Sequence, residues 1–228
     1  MAETDTLTAM QASDMLPHHL AYCERAGDPA FWAEPLNFLS NGFFMLVAIL
    51  GIKLLHDVSR RRYWDVVLLL ISLFVIGIGS GLWHSVATQW SVVADVIPIY
   101  VFINIYIFSL FIRVIGLDWF KTLLIWLVFT ACNVGIQTNV PPDVLNGSLM
   151  YIPPLAMLLI ATVWLRLQYK HSWKPLAAIT LLFLISLTFR TIDNSICSVF
   201  PWGTHFLWHI FNSIVLYSLV KLLVPAKD

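Results

Sequence analysis

Apolar runs of membrane-crossing length alternate with short polar breaks along this 228-residue chain. A helix needs about 20 predominantly apolar residues to cross the roughly 30 Å hydrocarbon layer of a bilayer. Runs bounded by charge, Pro or Gly predict seven such helices. They cover Pro35 to Leu55, Trp64 to His84, Val92 to Ile112, Trp119 to Ile136, Gly147 to Leu167, Pro175 to Arg190 and Thr204 to Leu223, the fourth and sixth being short. The expected fold class is all-α, an integral-membrane seven-transmembrane-helix bundle. A polar N-terminal segment (1–34) precedes the helical domain (35–223), and a short tail (224–228) follows. Brief connections leave no room for a second domain. Residues 1–20 are polar and acidic, with no basic start before an apolar run, so they do not read as a cleaved signal peptide.

Composition agrees with this pattern. The chain is 59% hydrophobic and 11% charged, with a mean hydropathy of +0.81. Soluble domains hold about 45–50% apolar and about 25% charged residues. Charge then orients the helices. Lys53, Arg60, Arg61, Arg62, Arg113, Lys121, Arg166, Lys170, Lys174, Lys221 and Lys227 fall on one side of alternating spans, and only Arg25 and Arg190 fall on the other. By the positive-inside rule the N-terminus is outside and the C-terminus cytoplasmic. A net charge of zero speaks against a polyanionic partner such as nucleic acid, and no protein partner is evident.

Ionisable side chains are costly in hydrocarbon, so those within spans are candidates for chemistry. His18 and His19 lie in the tail, and His56 and His171 in loops. His84 ends the second span, whereas His205 and His209 begin the seventh, which runs the opposite way. All three imidazoles are therefore expected near the outer face, where the third span places Asp95. Ser80 and His84 are separated by four residues, as are His205 and His209, so each pair shares a helix face. Gly77 and Gly81 form a small-xxx-small pattern that favours close packing. Three imidazoles with an open fourth position suit a catalytic zinc. Asp95 could manage the proton of a bound water and Ser80 could steady an oxyanion. The bland alternative is that the histidines simply hydrogen-bond across the bundle.

Other residues invite plainer readings. Trp83, Trp90, Trp202 and Trp208 near the outer ends read as interfacial anchors. Asn37, Ser40 and Asn41 read as helix glue or cavity lining, and Asp193 with Asn194 as a tie to the loop around Cys197. Arg190 reads as a membrane-edge cation that snorkels or pairs with Asp193. Cys23 and Cys197 both fall on the outer side, where an oxidising compartment permits a bridge, although two free thiols remain the alternative. Cys132 reads as a small core residue.

Ser80-x-x-x-His84, Asp95 with Pro98, and His205-x-x-x-His209 together resemble the alkaline ceramidases. These belong to the wider CREST superfamily of seven-span hydrolases, which also includes adiponectin-receptor-like proteins. "YCE" at 22–24, "EPLNFLSN" at 34–41, "IDNSIC" at 192–197 and "HFLWHI" at 205–210 carry the likeness across the chain from Tyr22 onward. The resemblance implies zinc-dependent hydrolysis of the amide bond of a ceramide-like membrane lipid, giving a sphingoid base and a fatty acid. It also implies His84, His205 and His209 as zinc ligands, Ser80 and Asp95 as catalytic residues, and a Cys23–Cys197 disulfide. One departure concerns calcium, which family members hold near the N-terminus through acidic and amide groups. Here Ala21 and Ala26 stand where Asp and Asn are expected. Glu24, Glu34 and Asp28 are the remaining calcium candidates, Ca2+ binding is in doubt, and a chain without that site needs no calcium for activity.

A competing reading is a seven-span lipid sensor of the adiponectin-receptor type with a chiefly structural zinc. It predicts ligand binding without turnover, and its relatives are expected to place the N-terminus in the cytoplasm. A proton or metal transporter would need polar residues continuing to the cytoplasmic face, where the second and seventh spans become apolar. The seventh span also lacks a mid-depth lysine for a retinal Schiff base.

Overall fold

A computed structural model describes residues 22–56, 62–141 and 143–225. The predicted polar tail before Tyr22, the basic pair Arg60 and Arg61, and residues 226–228 lie outside that range. Among the described residues there are seven long helices and no strand. Six are long and apolar enough to cross a membrane: α1 Pro35–Leu55, α2 Trp64–Val86, α3 Gln89–Ile115, α4 Trp119–Asn139, α5 Val144–Leu167 and α6 Trp173–Ser195. The seventh, α7 His205–Leu222, has 18 residues, and its two histidines, Asn212 and Lys221 lower its hydropathy.

The helices extend past the apolar runs that predict them. α4 reaches 21 residues and α6 reaches 23, so neither is short. A helix is propagated by backbone hydrogen bonds, and polar residues such as Gln137, Thr138 and Asn139 continue it once the apolar run has ended. Local sequence sets several starts. Pro35 occupies the first turn of α1, where its missing N–H costs nothing. A reciprocal capping box between Thr88 and Ser91 opens α3, and the Asp118 side chain accepts the Lys121 N–H at the head of α4. α5 differs most from its prediction. Leu145, Asn146 and Gly147 have positive φ, so regular α-helix begins only at Ile152.

Each helix packs on its neighbours in the chain, and α7 closes the ring against α1 and α2. α2 is the most enclosed, with 61% of its apolar window buried, whereas α4 is peripheral at 17%. Cys132 is therefore exposed on α4, contrary to its reading as a core residue. Outward-facing Leu39, Ile71, Ile160 and Leu181 form the apolar exterior that a lipid solvent tolerates. In such a solvent helix association rests on close packing and hydrogen bonds, since lipid tails are as apolar as leucine.

Two glycines show how close that packing is. A Cβ on Gly79 would sit 2.1 Å from the Ala94 carbonyl oxygen. Pro98 lacks the N–H that would ordinarily bond that carbonyl, so the sequence frees an oxygen on α3 and removes the side chain facing it on α2. This contact brings Ser80 beside Asp95. Gly203, at φ +63, would place a Cβ 2.1 Å from Asp193 Oδ1 and 2.7 Å from Cys23 Cβ. It closes the junction between the N-terminal segment and the α6–α7 loop. Gly77 is likewise close to α1, where a Cβ would sit 2.9 Å from the Asn41 carbonyl oxygen, whereas Gly81 makes only ordinary contact with Phe38.

At that junction Cys23 and Cys197 form a disulfide, with 5.2 Å between their Cα atoms. Asp193 is fully buried and accepts backbone N–H bonds from Cys23, Thr204 and His205 at 3.1, 2.6 and 2.9 Å. The carboxylate thus joins the N-terminal segment to the start of α7, where the sequence suggested a tie to the loop around Cys197, and Asn194 donates instead to Asn146 Oδ1. The bonds from Thr204 and His205 also satisfy N–H groups that every helix start leaves unpaired.

Candidate metal centre

The closed ring brings His84 on α2 against His205 and His209 on α7. One ligand atom from each lies within 4.8 Å of the others, and the three residues are 1–2% exposed. His84 Nε2 and His205 Nδ1 are buried without a hydrogen-bond partner. Buried nitrogens normally find partners, so two rings each keep a nitrogen that no protein group satisfies, and three imidazoles within this range fit a metal ion. Among the described residues this is the group of His, Cys, Asp or Glu placed to hold one.

Neighbouring groups fix which nitrogen each ring can offer. His84 Nδ1 lies 2.5 Å from Glu34 Oε2, so it donates its proton there and leaves the Nε2 lone pair inward. The Ser40 hydroxyl donates to the Asn37 carbonyl at 2.9 Å and lies 2.8 Å from His209 Nδ1. Its one proton is already given, so it accepts from an Nδ1–H, and the His209 Nε2 lone pair is likewise left free. A carboxylate or hydroxyl behind a ligating imidazole is the usual outer partner of a metal site. Tyr22 stacks on His205 with ring centres 3.8 Å apart, which restrains the third ring.

Glu34 is itself held. Arg25 Nε donates to its Oε1 at 2.5 Å and Asn37 Nδ2 to its Oε2 at 2.9 Å. Burial pushes the Glu34 carboxyl up, but His84, Arg25 and Asn37 outweigh it and hold it below the ordinary carboxylate value. The rest of the Arg25 guanidinium donates to the carbonyls of Asp28 (2.9 Å), Ala30 (3.3 Å) and His84 (3.0 Å). Breaking a buried ion pair by removing one partner costs about 3–5 kcal/mol. Arg25→Ala is expected to lower stability by that order and to weaken metal binding through the loosened Glu34. Thermal unfolding in detergent and a zinc titration would check both effects.

The three acidic residues considered for calcium are employed separately. Glu24 accepts the N–H groups of Leu36 and Asn37 at 2.6 and 2.9 Å, capping α1, and burial raises its pKa. Asp28 Oδ1 accepts the Ala30 N–H in a local turn. Glu34 serves His84 and Arg25. A guanidinium thus stands among the oxygens of this segment.

Ser80 and Asp95 line one cavity with His205, His209, Arg190 and Asn212. The Asp95 carboxylate is buried in this cavity, and its Oδ1 has no hydrogen-bond partner. The five residues singled out by helix position therefore come together. Sequence reasoning missed Glu34, Ser40 and Tyr22 as partners of the histidines, and Arg190 as a wall of the cavity. Arg190 does not pair with Asp193, whose oxygens are taken by backbone amides. It donates instead to the Tyr22 hydroxyl at 3.2 Å. Trp90 and Trp202 are 56% and 52% exposed, as anchors require. Trp83 and Trp208 are buried at 9% and 3%, and Trp208 lines the cavity.

The ceramidase family model matches the chain over residues 19–225. The chain belongs to the ceramidase family. Comparison with curated proteins finds no match. Membership makes this a ceramidase-type hydrolase acting on a lipid substrate of the bilayer, and the match spans all seven helices. The histidines, Ser80 and Asp95 all lie within the matched segment.

Proposed function

We propose that this ceramidase-family chain is a zinc-dependent intramembrane amidohydrolase that cleaves ceramide-like lipids into a sphingoid base and a fatty acid. The observation that supports the reading is the cluster of three buried imidazoles, two of them with a nitrogen that lacks a protein partner, next to a cavity that Ser80 and Asp95 line with His205 and His209. His84, His205 and His209 would hold the ion, a ligand set that leaves a fourth position open. Zinc there would supply Lewis acidity and lower the pKa of a bound water.

The chain's own residues do the rest. Asp95 takes a proton from the attacking water and returns it to the departing amine nitrogen. Ser80, which lines the cavity with Asp95, can turn its hydroxyl toward the developing oxyanion. Below the polar cavity, a second cavity lined by Ile103, Ile107, Leu110, Leu216 and Leu219 shares walls with the first at Ile76, Ile99, Tyr151 and Asn212. It supplies an apolar sleeve for one lipid tail while the amide reaches the polar end.

In this reading all seven helices cross the bilayer. The basic-residue asymmetry puts the N-terminus and the metal centre toward the outer side, whether periplasmic, extracellular or lumenal. Release of sphingoid base by purified protein is expected to stop on chelation and to return with zinc but not with calcium. Metal-dependent stability with no turnover would instead indicate the receptor-like alternative.

A further inference from the structure

Arg190 has no place in the chemistry described so far, yet it lines the same cavity as Ser80, Asp95, His205 and His209. Guanidinium is always charged, and a charge at this depth needs a reason. Among the described residues no carboxylate lies within ion-pair distance of it. Its Nη1 is committed to the Tyr22 hydroxyl at 3.2 Å. The guanidinium carbon lies 5.5 Å from the centre of the Tyr151 ring and 5.8 Å from that of Trp208, within the range of cation–π attraction. Its Nε, shielded from solvent, has no partner at all. Aromatic rings and the Tyr22 hydroxyl hold this cation in place, Asp95 shares the cavity with it without forming an ion pair, and one guanidinium donor, Nε, is left unused.

We infer that Arg190 is a substrate-binding residue for the acyl oxygen. It holds the carbonyl oxygen of the bound lipid amide and then the carboxylate of the released fatty acid. This assignment rests on the amidohydrolase reading for its substrate class. Hydrolysis breaks the C–N bond and forms a C–O bond from water. The amine departs with a proton, and the new acid is left as a carboxylate in the cavity. Of the two products only the carboxylate is an anion, and a fixed guanidinium prefers it to any neutral lipid group of the same length.

The test compares a long-chain fatty acid anion with the fatty alcohol of equal chain length, binding each to the full-length purified protein and following tryptophan fluorescence, with Trp208 in the cavity as reporter. Wild type is expected to bind the carboxylate about 10–100-fold more tightly, the range that a charge-assisted hydrogen bond supplies. Arg190→Met should bring the two ligands to near equality. The preference should persist in metal-free protein, because it belongs to the guanidinium. A purely structural role for Arg190 would weaken both ligands together and leave their ratio unchanged, and a wild-type ratio in Arg190→Met overturns the assignment. Should that variant fail to fold, Arg190→Lys carries the test. It keeps the charge and loses the Nε donor, so a reduced ratio supports the assignment and an unchanged one overturns it. Carboxylate preference without any release of sphingoid base would sink the amidohydrolase reading and leave Arg190 as a carboxylate-binding residue alone.

Discussion

Purified His209→Ala protein is expected to lose its bound zinc and, with it, all measurable release of sphingoid base from ceramide. His209 offers one of three imidazole nitrogens, and its ring is aimed by Ser40 at 2.8 Å. Removing an outer partner of a metal ligand typically costs about 10–100-fold in affinity or activity, and removing the ligand itself should cost more. Metal analysis alongside the activity assay would show both losses together. Ser40→Ala should fall in the smaller range, because the ligand survives and only its orientation is freed. Wild-type turnover in His209→Ala would remove the basis of the proposed mechanism.

Asp95→Asn should behave differently. The substitution is nearly isosteric and touches no proposed ligand, so zinc content should match wild type. Turnover should nevertheless fall by about 10²–10⁴-fold, the usual contribution of a positioned acid or base. An amide cannot accept the proton of the attacking water. Retained metal with lost turnover separates proton handling from metal holding. Equal losses of both would show instead that Asp95 supports the fold of the site.

The two variants probe different layers of how legible this protein is. The helices could be read directly, because about 20 apolar residues between polar breaks have few other uses. Alternation of direction then placed His84, Asp95 and His205 at one depth before any contact was known. Gly79 and Pro98 are both visible in the sequence, but their pairing is not. It takes the packing of α2 on α3 to show that the carbonyl one residue leaves unbonded is the atom the other makes room for.

The supporting groups could not be read in the same way. Glu34 lies 50 residues from His84, and Ser40 lies 169 residues from His209. Glu34 was legible only as an acidic residue and was grouped with Glu24 and Asp28 as a cation ligand. The structure shows an internal cation, Arg25, among these oxygens. Arg190 carried the signal of any intramembrane charge, yet its nearest acidic residue in sequence, Asp193, suggested the wrong partner. Backbone amides at the start of α7 had already claimed that carboxylate.

The sequence alone determined the helical membrane class, the depth of the three histidines and the residue types of the centre, because these follow from local hydropathy and helical periodicity. Tertiary structure decided which nitrogens are left unpaired, which carboxylate stands behind His84 and where Arg190 points. Those outcomes depend on which helices meet when the ring closes, and on the rule that each buried polar atom must find a partner within about 3 Å or remain free to bind something else.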